Sequence, residues 1–142
     1  MKRLLLGILV CCSLLAASGA AWCGDNGNGT VTLGNLVVLK DAGCLERRPW
    51  KDAITIVNYL SDRWCGLSDK SQAGDWRLPT IDELQIMYAS QSQFKNVKPA
   101  RYWSSSTYSN NLYFAWFVNM SNGSIENEGK GNHFYIWPVR KK

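Results

Sequence analysis

Gly74-Asp75-Trp76-Arg77-Leu78-Pro79-Thr80-Ile81-Asp82-Glu83-Leu84 constrains this chain more than any other stretch. It encodes an extended segment that turns sharply into a helix. Thr80 is a good N-cap, and Glu83 stands three residues on, where its carboxylate can reach back to the Thr80 amide; this spacing is a capping box. Asp82 and Glu83 place negative charge in the first turn, where the helix dipole favours it. Pro79 keeps Leu78 extended. Ile81, Leu84 and Tyr88 form one apolar stripe with Met87 at its edge, as a helix packed on a core requires. Trp76 and Leu78 point the same way from the extended segment. Both are expected in the core, pinning the helix start against a sheet.

The chain begins Met1-Lys2-Arg3, an apolar run from Leu4 to Leu15, then Ala16-Ala17-Ser18-Gly19-Ala20-Ala21. That order reads as a secretory signal peptide over residues 1–21. The apolar run is too short for an ordinary membrane span. The expectation is export to the periplasm, cell surface or exterior, with residues 22–142 as one domain. A lipoprotein signal with Cys23 as the lipidated residue is the alternative; Trp22 is a poor neighbour for it. Loss of Lys2 and Arg3 turns 16 basic residues into 14 against 11 acidic, a net charge of about +3. So mild an excess does not argue for nucleic acid.

Val31 to Leu33 and Leu36 to Leu39 are two β-rich runs around Gly34-Asn35, a hairpin signal. Asp25-Asn26-Gly27-Asn28-Gly29 fails the calcium-loop pattern, because Gly27 and Leu36 stand where oxygen ligands are needed. Pro49 to Trp64 reads as a helix with Ala53, Ile54, Val57 and Leu60 at helical spacing, ended by Cys65-Gly66. After Pro99 only strand patterns occur: Tyr102 to Ser105, Leu112 to Met120, an Asn122-Gly123 turn, Ser124 to Glu126, and a last strand from Phe134 to Arg140. Helices first and antiparallel strands later give an α+β class.

Several blocks resemble one family. Trp76-Arg77-Leu78-Pro79-Thr80 followed by an acidic residue and Leu84 resembles the signature of the Legionella collagen-like protein C-terminal domain family, a bacterial domain of unknown function. Asp25 to Thr32, Leu39 to Cys44, Cys65 to Asp69, Tyr102 to Ser106, Ala115 to Asn119 and Trp137 to Arg140 resemble its other blocks, in order. The resemblance implies a C-type lectin-like fold, two helices packed on a small antiparallel sheet with long loops. It also fits a Cys44–Cys65 disulfide, which an exported protein favours; two buried free thiols are the alternative. Cys23 is then a free thiol, a lipid site or a link between chains. The Arg-Leu-Pro-Thr entry is similar to that of formylglycine-generating enzymes, which share the fold. Those enzymes use late cysteines, and no cysteine follows Cys65.

No catalytic constellation stands out, and no metal site or cofactor motif does. His133 is the one histidine and has no cluster around it in sequence. The calcium-and-sugar signature of true C-type lectins is absent. What remains is an aromatic and cationic set in or beside the late loops: Arg101, Tyr108, Tyr113, Lys130 and His133. Trp76, Trp103, Trp116 and Trp137 are expected in the core. The basic tail Arg140-Lys141-Lys142 adds to the positive surface. Rings with cations suit an anionic glycan. The expected function is an exported, non-catalytic binding or adhesion module; a structural part of a surface assembly, with a homo-oligomer among its forms, is the alternative.

Overall fold

The computed structural model describes residues 23–142. The leader therefore lies outside the described residues. Two sheets organise the chain. The first has the order β1-β2-β3-β9, all antiparallel, from β1 (Cys23–Asp25), β2 (Thr30–Leu33), β3 (Leu36–Leu39) and β9 (Val139–Lys141). The β2–β3 hairpin turns at Gly34-Asn35 as expected, with Gly34 at φ +62°. The second sheet has the order β4-β8-β5-β6-β7, from β4 (Arg47–Arg48), β5 (Arg101–Thr107), β6 (Phe114–Asn119), β7 (Ile125–Gly129) and β8 (Phe134–Tyr135). The β5–β8 pair is parallel and the others antiparallel. The class is α+β, but the single small antiparallel sheet expected is two sheets, one of them mixed.

The expected last strand is split between those sheets. Pro138 has no N–H to give a ladder. Instead its carbonyl accepts from Leu39 N at 3.1 Å, and Trp137 Nε1 donates to Leu39 O at 2.8 Å. Fully buried Trp137 thus pins the crossing from β8 to β9.

Helix α1 spans Trp50–Tyr59, shorter than the expected Pro49–Trp64. Ala53 and Val57 face the core, and Leu60 turns extended at the C-terminus and buries its own side chain. Beyond it, Ser61-Asp62-Arg63 offer nothing apolar to continue the stripe. Asp62 N donates to Ser71 O and Asp62 Oδ1 accepts from Lys70 N, so local pairing replaces helix. Cys65-Gly66 lie in the loop and do not end the helix. The Cys44–Cys65 disulfide is present, with Cα atoms 5.7 Å apart, and ties that loop to the segment after β3. Cys23 is buried at the start of β1.

Helix α2 spans Ile81–Ala89, and a 3-10 turn follows at Gln91–Gln93. The capping box is closed: Glu83 N donates to Thr80 Oγ1 at 3.2 Å, and Thr80 N donates to Glu83 Oε1 at 3.0 Å. Arg77 adds a fork the spacing did not announce, donating to both Glu83 oxygens at 2.8 and 2.9 Å. Burial pushes the Glu83 carboxyl up, but Arg77 and Thr80 outweigh it and hold it below its usual value. The buried line of α2 is Leu84 with Met87, and Ile81 and Tyr88 are only half-buried. Tyr88 instead covers the Asn122-Gly123 turn, where a Cβ on Gly123 would meet its ring at 2.5 Å.

The Trp76–Thr80 stretch joins the two sheets. Arg77 and Val139 exchange two backbone hydrogen bonds of 2.9 Å, and Ser105 N donates to Pro79 O at 2.7 Å. Trp76 and Leu78 are buried as expected. Trp103 is too, but Trp116 is half-buried, edge-on to Tyr108 with centroids 5.3 Å apart. Among the described residues no helix is long and apolar enough to cross a membrane.

Candidate functional site

Strand β8 sits between β4 and β5, and this brings distant residues to one place. Tyr135 of β8 stacks on Tyr102 of β5, centroids 5.4 Å apart. The Tyr102 hydroxyl donates to Ala42 O at 2.8 Å and accepts from Lys98 N at 2.9 Å. Burial pushes that phenol up to about 12, so it stays a neutral strut. Arg47 of β4 lays its guanidinium 5.8 Å from the Tyr135 ring centroid. Gly43 lets the 95–98 segment approach, since a Cβ there would stand 2.9 Å from Asn96 O.

Two depressions result, of 560 Å³ and 310 Å³, sharing Arg47, His133 and Tyr135. Lys98 and Glu46 complete the first; Arg101 and Asn119 are on the second. Arg101 lies over the Phe117 and Phe134 rings at 5.2 and 5.4 Å, which fixes its guanidinium at the rim. Among the described residues Arg47, Lys98 and Arg101 take part in no ion pair. Three cations against one carboxylate, Glu46, make this cleft an anion-attracting surface.

Of the residues singled out in the sequence, the structure brings Arg101 and His133 together here. Tyr108 packs on Trp116, and Tyr113 stands 82% exposed on a loop between β5 and β6. Lys130 is turned inward: its ammonium donates to Thr107 Oγ1 at 3.0 Å and Leu112 O at 2.7 Å and lies 4.1 Å from the Trp50 ring centroid. That commits its hydrogens to bracing the 107–113 loop. Arg140 of the basic tail is likewise engaged, with Asp69. Arg47, Lys98 and Tyr135 were not singled out. The pair Arg47-Arg48 before Pro49 is the signal the sequence offers for it.

In two other depressions carboxylates hold part of the cationic charge. One, of 520 Å³, lies among Arg77, Arg140, Lys141, Lys142 and Asp75, but Glu83 and Asp69 hold its two guanidiniums. The other, of 220 Å³, holds Asp25 and Lys40, which pair with each other, and the Asp25 carboxyl is lowered by the Lys40 hydrogen bond and the Gly27 amide. Among the described residues no group of three or more His, Cys, Asp or Glu is placed to hold a metal ion.

No curated protein matches the chain. The sequence model described as the Lcl C-terminal domain matches residues 16–140, nearly the whole length. The ordered blocks around Trp76–Thr80, the disulfide and the α+β fold agree with that match: this chain belongs to the Lcl C-terminal domain family.

Proposed function

We propose that this domain is an exported, non-catalytic binding module that attaches to an anionic extracellular polymer, most simply a sulfated or carboxylated glycan. One observation carries the reading: Arg47, Lys98 and Arg101, without ion-pair partners among the described residues, line the two depressions that share Tyr135. Guanidinium and ammonium groups pair with sulfate or carboxylate, and a held aromatic ring accepts a sugar face. The ring is preorganised by Tyr102 behind it, so little freedom is lost on binding. Two helices, and a chain end that returns to the first hairpin, support a C-type lectin-like arrangement. Exposed pairs are individually weak. One cleft therefore binds weakly, and firm attachment comes from several copies.

A glycan array read at low and near-physiological salt tests this. Binding is expected to anionic glycans, to weaken steeply with salt, and to be lost in Arg47→Ala/Arg101→Ala while the melting curve is kept. Lys130→Ala is the wrong probe, because it removes a loop brace. Equal binding by the double variant, or no salt-sensitive binding to any anionic polymer, overturns the reading.

A further inference from the structure

The five-stranded sheet has two open edges, and they carry opposite charge. At one end β4 presents Arg47 and Arg48. At the other end β7 presents Glu126 and Glu128. Among the described residues no strand pairs with the outer side of either. Arg48, Glu126 and Glu128 are in no ion pair there either.

The register says which groups face outward. Asn119 N donates to Ser124 O and Lys130 N donates to Tyr113 O. Antiparallel pairs alternate, so Glu126 and Glu128 turn their backbone toward β6, and Ile125 and Asn127 turn theirs to the open side. The edge closes at Gly129, whose carbonyl accepts from Asn132 N and Nδ2. The open part is therefore Ile125 to Asn127.

The strand directions also fit. β4 runs against β8, β8 runs with β5, β5 against β6, and β6 against β7. It follows that β4 and β7 run in opposite senses. Two copies placed side by side in the same orientation would meet as an antiparallel pair, the more favourable kind. The side-chain faces fit as well. Directly opposed residues share a face, so Glu126 lies with Phe117, Glu128 with Ala115, and Phe117 with Trp103. Arg48 lies opposite Phe134, whose ring packs against both Phe117 and Trp103. Arg48 and the two glutamates are therefore on the same face of the sheet. Arg47 is on the other face with Ile125, which is 41% exposed and can receive its apolar stem.

We infer that the domain associates head to tail with further copies of itself, the β7 edge of one docking on the β4 edge of the next and continuing the five-stranded sheet. Self-pairing of two β7 strands about a two-fold axis is disfavoured, because Glu126 of one copy would oppose Glu128 of the other, and like charges directly opposed repel. The heterologous contact does not close, so it propagates. Two residues of β4 offer few backbone bonds, and the association is weak and carried by Arg48 between the glutamates. Arg48, Glu126 and Glu128 line neither depression of the cleft, so failure of this inference leaves the binding reading untouched.

Sedimentation of the purified protein over a concentration series tests it. At low salt the average mass is expected to rise steadily with concentration without halting at a dimer, and at near-physiological salt the rise is expected to shrink. Arg48→Glu alone and Glu126→Arg/Glu128→Arg alone should each remain monomeric, and mixing the two should restore growth, since each restores the opposite charge at the junction. Circular dichroism checks that both fold; Arg48→Gln and Glu126→Gln/Glu128→Gln, which weaken growth without reversing charge, stand in if they do not. A wild-type protein that stays monomeric at every concentration, one that stops at a closed dimer, or growth that ignores both sets of variants overturns the inference.

Discussion

The carboxylate of Asp69 is wholly buried, while the Arg140 side chain keeps 21% exposure. Arg140 Nε and Nη2 donate to Asp69 Oδ2 at 3.2 and 3.0 Å, and Ser71 N and Oγ donate to Oδ1 at 3.1 and 2.6 Å. The same guanidinium lies 5.4 Å from the Trp76 ring centroid. The pair therefore fastens β9 and the 69–71 loop around the central tryptophan. Breaking a buried pair by removing one partner costs about 3–5 kcal/mol. Asp69→Asn keeps the Ser71 bonds and strands an arginine that can still reach water, so its cost belongs at the lower end, about 3 kcal/mol. Arg140→Met strands a carboxylate with no access to water, so its cost belongs higher, about 4–5 kcal/mol. With a urea slope of roughly 2 kcal/mol/M, the midpoint moves about 1.5 M for the first and 2 M or more for the second. The double variant strands neither charge and should cost clearly less than the sum. Burial raises the Asp69 carboxyl, but Ser71 and Arg140 outweigh it and hold it below its ordinary value. A carboxyl lowered by folding gives stability that is full above its unfolded value and lost as pH falls through the folded one. The gap between wild type and Asp69→Asn should therefore be constant from neutral pH to about 5 and shrink below about 4. Coincident midpoints at neutral pH, or a gap undiminished in strong acid, refute the reasoning.

Peptide mapping without reduction should find Cys44 joined to Cys65, and Cys44→Ala/Cys65→Ala should cost about 3 kcal/mol in denaturant unfolding, from the loop closed over a separation of 21 residues. Thr80→Ala should cost about 1 kcal/mol through the lost cap, and Glu83→Gln more, because it also loosens the Arg77 fork. Trp76→Ala should cost about 3–5 kcal/mol. Among the described residues Trp76 Nε1 has no hydrogen-bond partner, whereas Trp137 Nε1 donates to Leu39 O, so Trp137→Phe should exceed Trp76→Phe by about 1–3 kcal/mol on the same curves. For the leader, intact-mass measurement of the exported protein should find the chain cut near Ala21; a chain starting at Met1 refutes export by that route.

What the sequence made legible is what is local. The Thr80–Glu83 box, the Gly34-Asn35 hairpin and the Asn122-Gly123 turn are each written within a few residues, and each is present. Elements whose ends depend on distant partners were harder. α1 stops at Tyr59 because Asp62 pairs with Ser71 and Lys70, which spacing does not reveal. Pro138 was visible, but its effect, moving the chain from one sheet to another, depends on Leu39. The cleft was legible only in Arg101 and His133. Arg47, Lys98 and Tyr135 join them through β4, β8 and β5, which meet only in three dimensions. Lys130 looked like a surface cation because its holders, Thr107, Leu112 and Trp50, lie far away in sequence.

The first sheet bears on how the domain carries a load. Its register places Cys23 opposite Leu33, Leu33 opposite Leu36, and Leu36 opposite Lys141. The entry and exit of the described chain thus stand in one row at one end of the sheet, three strand spacings apart, about 14 Å. Tension applied between these two points peels β1 from β2 and β9 from β3 one hydrogen bond at a time. Tension applied between one of them and the cleft is spread instead over the Arg77–Val139 bridge, the Trp137 pin and the disulfide. A domain tethered by one end and gripped at its cleft is pulled along its stiffer direction.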